Sequence, residues 1–207
     1  MTIKKKIILP TLALIVIGSL SLIVTANVLL RAAITEKDNE TSKYILDGVI
    51  VQLEQLHAGA ITKNTFKENM YANSIGTAYP YILDENDELW LHINSRLQSD
   101  KGQVIDTETH KSIFEGIVAN VNGTYTYHFT HPDKPGSHPK KAFIKYYSPL
   151  KLYVIYATYT DYLDAQIRKS SLLLSGIAVL VFVFISLALY LVVKVFPRAV
   201  LNIGHQA

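Results

Sequence analysis

Two uncharged apolar runs, at residues 7–30 and 170–193, constrain this chain more than any other feature. Each run holds 24 residues. As an α-helix such a run spans roughly 36 Å, against a hydrocarbon core of about 30 Å, so both can cross a bilayer with some tilt. The first run exceeds the apolar stretch of about 7–15 residues in a signal peptide, so we expect an uncleaved anchor. The sequence therefore predicts a basic tail at 1–6, membrane helices at 7–30 and 170–193, a polar domain at 31–169 and a short segment at 194–207.

Charge separates the polar domain from the ends of the chain. Residues 31–169 carry 15 Lys/Arg and all 17 Asp/Glu, whereas the ends carry five basic residues and no acid. Basic residues beside a membrane favour the cytoplasmic side, which predicts cytoplasmic termini and an extracytoplasmic domain. The inverted topology is the alternative. The basic residues form no continuous patch, so nucleic acid is not an expected partner. Without cysteine, disulfides and thiol chemistry are excluded.

The polar domain begins with a helical pattern. Apolar residues recur at helical spacing up to Ala58-Gly59, as Ile45, Val49, Leu53 and Leu56. We expect the first membrane helix to continue through this stripe, which serves either to pack on a sheet or to form a dimer face. A short helix follows, with Thr62 or Asn64 as its N-cap.

From Tyr79 onward the pattern favours strands. A hairpin is predicted from two strands joined by a charged turn, and a helix and three further strands follow. In order, these elements are 79–83, 88–93, the helix 107–121, then 124–130, 141–147 and 152–160. Because sequential strands usually lie side by side, we expect an α+β fold with one antiparallel, PAS-like sheet of about five strands and helices packed on it.

Several motifs carry a resemblance to a known family. They are Tyr81-Ile82-Leu83-Asp84 with Leu89-Trp90-Leu91-His92, then Gly123 before the aromatic strand 125–129, the segment 139–146, and the closing strand 152–159 with Asp161. Together they resemble the single Cache domains of bacterial chemoreceptors and sensor kinases. The resemblance implies an extracytoplasmic sensor in a bacterial inner membrane that forms a homodimer and binds a small organic ligand, including short carboxylates.

The end of the chain resembles a signalling connector. Residues 197–201 (Pro-Arg-Ala-Val-Leu) are similar to the first residues of a HAMP linker, and no output module follows. Two interpretations remain open. The chain is either a truncated receptor, of the kind that mediates chemotaxis, or a binding protein that modulates a full-length receptor or kinase.

The candidate ligand site combines aromatic side chains with one lysine. An ammonium and phenol hydroxyls suit a small carboxylate inside an aromatic pocket. The alternative role for the lysines of this region is to keep an edge strand soluble. The candidate ligand-binding residues are Tyr79, Tyr81, Trp90, His92, Tyr127, Phe143, Lys145 and Tyr147.

Neither a cofactor nor catalysis is indicated by the sequence. No hydrolytic motif, phosphate-binding glycine loop or His-Glu zinc helix is present. Three histidines, His128, His131 and His138, are weak candidates for a Zn²⁺ or Cu²⁺ site because a loop connects them. Their spacing does not match a recurring metal motif, so we expect no metal and regard them as loop residues in contact with solvent.

Overall fold

The structure is a computed structural model that describes residues 3–92 and 104–203. The chain divides into two compact units, one formed by the residues up to Ile34 together with those from Gln166, the other by Thr35–Ala165. Three predicted features fall partly outside the described residues: the first two residues of the basic tail, Ile93 at the end of the second strand, and the last four residues of the segment 194–207.

The first unit consists of helical segments with apolar surfaces. Helix α1 (Ile3–His57) and helix α4 (Thr160–Ile203) contain the two apolar runs. By length and composition both are apolar enough to cross a membrane, with mean hydropathies of 2.4 and 2.9 in their most apolar windows. Asn27 donates from Nδ2 to Ser175 Oγ at 3.4 Å, which joins the two helices by a polar contact.

The second unit is an α+β domain built on one sheet. Within the described residues the sheet has five strands, and all its pairings are antiparallel. The strands are β1 (Tyr79–Asp84), β2 (Leu89–Leu91), β3 (Thr124–Thr130), β4 (Ser137–Tyr147) and β5 (Leu152–Tyr159). Their order is β2-β1-β5-β4-β3, so the last strand lies at the centre of the sheet. The predicted fold class is confirmed.

One face of the sheet is covered by helices. The apolar stripe of α1 packs there, because Val49 and Leu53 are fully buried and Ile45 is 9% exposed. Helix α2 (Lys63–Ala72), capped by Thr62, adds Phe66 and Met70 to the same core. The predicted alternative role of the stripe as a dimer face is wrong, since these side chains are used inside their own domain.

The helix predicted at 107–121 is shorter than expected. Only α3 (Phe114–Ala119) forms. The Asp106 carboxylate accepts the backbone N–H groups of Glu108 and Thr109, both at 2.8 Å, and holds this stretch in a turn. Side chains of this type favour turns because they satisfy backbone donors outside a helix. Farther along, β4 begins at Ser137 and not at Lys141, because it pairs with the whole of β3.

Candidate functional site

The second face of the sheet carries polar groups within an apolar core. Tyr81 and Tyr127 lie there, with Ile144 and Ile155 beside them and Ile117 of α3 packed on top. Strand geometry explains the arrangement, since successive side chains point to opposite faces. In β4 the even-numbered residues face this second core, and the odd-numbered residues face α1. We call this surface the polar face.

Lys140 is the most unusual residue of the polar face. Its side chain is fully buried, although lysine is rarely buried without a partner. Its Nζ lies 3.7 Å from the ring centroid of Tyr79, 4.8 Å from that of Tyr159 and 5.8 Å from that of Phe129. Among the described residues Nζ has no hydrogen-bond partner. The lysine therefore sits in an aromatic enclosure with three donors unused.

The electrostatics of Lys140 follow from its burial. Removing an ammonium from water disfavours its charged form, and burial lowers the pKa of Lys140 to about 7. The three surrounding rings compensate in part, because the faces of aromatic rings attract cations. Near neutral pH the side chain is thus balanced between amine and ammonium. An anion beside Nζ would shift it to the charged form.

Phenol hydroxyls extend the polar face next to this enclosure. The hydroxyl groups of Tyr81 and Tyr127 lie 3.3 Å apart, and both rings are fully buried. Burial raises the pKa of each phenol, so both remain neutral donors. The buried His92 ring lies 5.1 Å from the centroid of Tyr79 and 5.7 Å from that of Tyr81. The two phenol hydroxyls can donate hydrogen bonds to a small anion, and the His92 ring adds to the aromatic wall beside them.

The eight residues predicted from the sequence do not form one site. Four of them meet on the polar face around Lys140, namely Tyr79, Tyr81, His92 and Tyr127. The other four belong to the opposite side of the sheet. They are Trp90, Phe143, Lys145 and Tyr147. Since the sheet separates the two groups, a ligand at Lys140 would contact only the first.

The structure gives Lys145 a structural contact. Its Nζ pairs with Asp47 of α1, and its side chain is partly exposed. Lys141 likewise donates to Asn39 Oδ1 at 2.8 Å. The centroids of the Trp90 and Phe66 rings lie 6.0 Å apart, and Lys63 Nζ lies 4.6 Å from the centroid of the Trp90 ring. Lys141 and Lys145 thus connect β4 to α1.

Sequence reasoning missed Lys140, Phe129 and Tyr159 as site residues. The usable signal was strand alternation, because Lys140 has the same parity as Ala142 and Ile144, the small and apolar residues of the polar face. Finding it required placing the start of β4 before Lys140. It also required knowing that the face containing Phe143 is the one covered by α1.

The three histidines do not assemble into a metal site. Within the described residues no group of three or more His, Cys, Asp or Glu side chains is placed to hold a metal ion. His128 lies 3.4 Å from Glu108, on the side of β3 away from the tyrosines. His131 and His138 do meet, with ring centroids 5.4 Å apart, but His138 Nδ1 is engaged by Asp161 at 2.6 Å.

The five-stranded sheet, the long helix on one face and the polar groups on the other define a PAS-like α+β domain. A sequence model of the Cache domain family matches residues 51–175, which is more than half of the chain. The chain therefore belongs to the Cache domain family, as its sequence motifs predicted. Comparison with curated protein sequences gave no significant match.

Comparison with solved structures found three similar chains. A methyl-accepting chemotaxis protein from Vibrio parahaemolyticus RIMD 2210633 is 16% identical, with a TM-score of 0.55 over 67% of this chain and 99% of that chain. A Cache chemosensory domain described for carboxylic acid recognition gives 18% identity and a TM-score of 0.47, covering 60% of this chain and 94% of its own. The periplasmic sensor domain of a chemotaxis protein gives 20% and 0.49, covering 60% and 96%.

Proposed function

We propose that this chain is a membrane-anchored sensor whose Cache domain binds a small carboxylate at Lys140. The observation that carries the proposal is the buried Nζ of Lys140, which has no hydrogen-bond partner among the described residues. A buried donor without an acceptor costs about 1–3 kcal/mol, and more when it is charged. A ligand that supplies an acceptor to Nζ would remove this cost.

A carboxylate matches this group in charge and in hydrogen bonding. It supplies the negative charge and the acceptors that Nζ lacks, and hydrogen bonds between ionised partners are the strongest in proteins. The rings of Tyr79, Phe129 and Tyr159 offer apolar contact to the rest of a short organic acid. The Tyr81 and Tyr127 hydroxyls provide further donors nearby. Binding requires no catalytic step, and we assign none.

The architecture also supports a relay across the membrane. Strand β5 passes directly into α4, which contains the second apolar run. We propose that residues 31–169 are extracytoplasmic, that both termini are cytoplasmic, and that occupancy of the site shifts α4 between two states. A ligand can do so only if it binds the two states with different affinities. Assembly as a homodimer and a HAMP-like connector at 194–207 belong to the same proposal.

A thermal-shift screen tests the ligand class. The full chain in detergent micelles would be heated with acetate, propionate, amino acids, amines or divalent metals, beside two variants. Lys140→Met removes the buried ammonium, and Lys141→Met removes the neighbouring ammonium on the opposite face. We expect carboxylates to raise the melting temperature of the wild type and of Lys141→Met, but not of Lys140→Met. A ligand present at 100 times its dissociation constant stabilises by about 2.7 kcal/mol, which the screen resolves.

Three outcomes would count against the proposal. The first is a carboxylate shift that survives in Lys140→Met, because the anion would then bind elsewhere. The second is stabilisation by amines or metals alone, which would reverse the expected ligand charge. The third is a cooperative transition that no carboxylate moves.

A further inference from the structure

Beside the ligand site, a charged cluster joins the β3–β4 hairpin to the start of α4. Asp161 Oδ2 lies 2.6 Å from His138 Nδ1 and 3.2 Å from Lys134 Nζ. We call these three residues the Asp161 cluster. Partial burial acts to raise the pKa of Asp161, but the hydrogen bonds from His138 and Lys134 outweigh it and the pKa is lowered. Asp161 is therefore charged at neutral pH.

His138 lies between two hydrogen-bond acceptors. Its Nδ1 faces the Asp161 carboxylate at 2.6 Å, and its Nε2 lies 3.0 Å from the carbonyl oxygen of Pro135. Asp161 also lies in the first turn of α4, where the helix dipole favours an acidic side chain. The Asp161 cluster thus connects the β3–β4 hairpin to the first turn of α4.

A continuous series of ring contacts connects this cluster to Lys140. Lys140 Nζ lies over the Tyr159 ring, and the centroid of His131 lies 4.5 Å from that of Tyr159. The His131 ring in turn contacts His138. The Tyr159 hydroxyl donates to the carbonyl oxygen of Thr130 at 2.6 Å, which fixes the ring against the residue before His131. Every step from the ammonium to Asp161 is a direct contact.

The backbone places the two sites at the same end of the sheet. Lys140 pairs with Tyr159 in register, and Tyr159 is the last residue of β5. Thr160, the first residue of α4, donates from Oγ1 to the carbonyl oxygen of Pro139 at 3.4 Å. No loop separates β5 from α4. A displacement of Lys140 or Tyr159 therefore reaches the first turn of α4 without passing through a flexible linker.

We propose that the Asp161 cluster transmits occupancy of the Lys140 site to the first turn of α4. This inference rests on the proposed function and concerns the output of the site, not its affinity. A carboxylate that draws Nζ toward itself changes the contact with Tyr159. That ring then moves against His131, which in turn contacts His138, and the cluster converts the motion into a displacement of Asp161. His138 and Asp161 are positioning residues in this scheme and do not touch the ligand.

A spin label on α4 tests the transmission directly. The chain has no cysteine, so Tyr162→Cys provides a single labelling point on a side chain that is 70% exposed. The full chain would be reconstituted in lipid nanodiscs, and label mobility would be recorded with and without acetate. Acetate affinity would be measured on the same samples. Asp161→Asn and Lys134→Met disrupt the cluster with little change in side-chain size.

The matched control is Asp133→Asn. It removes the same charge from the same hairpin at a residue outside the Asp161 cluster. Its backbone N–H donates to His131 Nδ1, a bond that the substitution retains, and the lost charge acts on His131 and not on Asp161. We expect the acetate-induced change in mobility to fall at least about threefold in Asp161→Asn, because its coupling to the site is lost, while the dissociation constant stays within about twofold, because Asp161 does not touch the ligand. Lys134→Met should lose part of the response, and Asp133→Asn should keep it.

A full mobility response in Asp161→Asn with unchanged affinity would overturn the transmission role and leave the proposed function standing. A parallel loss of affinity and response would also overturn it, since Asp161 would then belong to the ligand site. If acetate and propionate fail to bind the wild type, the proposed function falls and this inference falls with it. The affinity measurement distinguishes that case from the other two.

Discussion

The two faces of the sheet use the same strands for opposite purposes. On the face covered by α1, the lysines of β4 have partners: Lys145 pairs with Asp47, and Lys141 donates to Asn39. On the polar face, Lys140 is fully buried and its Nζ has no partner within the described part of the chain. Adjacent lysines of one strand thus differ completely in their environment. The face covered by α1 maintains the fold, and we propose that a ligand contributes binding energy on the polar face.

The largest effect on stability is expected on the face of the sheet that α1 covers. Leu53→Ala removes a fully buried side chain from the core between α1 and the sheet. Substitutions of this kind cost about 2–5 kcal/mol because a cavity remains. We expect chemical denaturation of the full chain to show that loss, with carboxylate affinity unchanged in the protein that remains folded. A loss below about 1 kcal/mol would mean that α1 is not packed on the sheet as described.

The same comparison predicts a gain of stability on the polar face. Lys140→Met keeps the length of the side chain and removes a buried donor group that has no acceptor among residues 3–92 and 104–203. The ligand-free domain should therefore become more stable by about 1–3 kcal/mol while losing carboxylate binding. Denaturation curves recorded without ligand measure the gain. A destabilised but folded variant would show that the three surrounding rings stabilise the ammonium by more than its burial costs.

Buried lysine also makes stability depend on pH. The pKa of Lys140 is lowered to about 7 in the folded state from 10.5. Between these values the unfolded chain binds a proton that the folded chain has released, so stability rises with pH. The advantage of Lys140→Met over the wild type should therefore shrink from pH 7 to pH 9, by at most about 1.4 kcal/mol per unit. Denaturation of both proteins across this range measures the trend.

Ligand affinity should change in the opposite direction. A carboxylate requires the ammonium form of Lys140, so its binding weakens as pH rises above 7, by at most about tenfold per unit. As pH rises above 7, the stability of the free domain should therefore increase while its affinity for the anion decreases. If both rose together, the group that binds the anion would not be Lys140.

The smallest effect is expected for Lys145→Met. This residue pairs with Asp47 at a partly exposed position, and such ion pairs contribute about 0–1 kcal/mol. We expect a loss within that range and normal carboxylate binding. Lys140→Met and Lys145→Met make the same chemical change on opposite faces of the sheet. We expect the first to raise the stability of the domain and the second to lower it. Loss of binding in Lys145→Met would restore the role predicted for it from the sequence.

Most of the fold could be predicted from local patterns in the sequence. Strict alternation from Tyr125 to Phe129 placed β3 and its aromatic face, and the helical stripe around Leu53 placed the buried side of α1. The predicted helix at 107–121 was wrong for its first part, because the hydrogen bonds of the Asp106 carboxylate depend on the fold of its own loop. A helical period among apolar residues does not reveal such a competing turn.

The candidate site was harder to predict because it depends on which face of the sheet the helices cover. The basic segment of β4 was recognisable, but Lys140 and Lys145 differ in parity and only one of them can face the tyrosines. The sequence favoured Lys145 through its neighbours Phe143 and Tyr147. Those two aromatic residues pack with α1, and the aromatic partners of Lys140 come from three other strands.

Calorimetric titration of the full chain with acetate and propionate at pH 6.5 is the most direct test of the central claim. The wild type, Lys140→Met and Lys141→Met would be compared under identical conditions. The account predicts saturable binding to the wild type and to Lys141→Met, and no measurable heat with Lys140→Met. Equal binding by all three proteins, or loss in Lys141→Met alone, would contradict the assignment of Lys140 as the residue that holds the carboxylate.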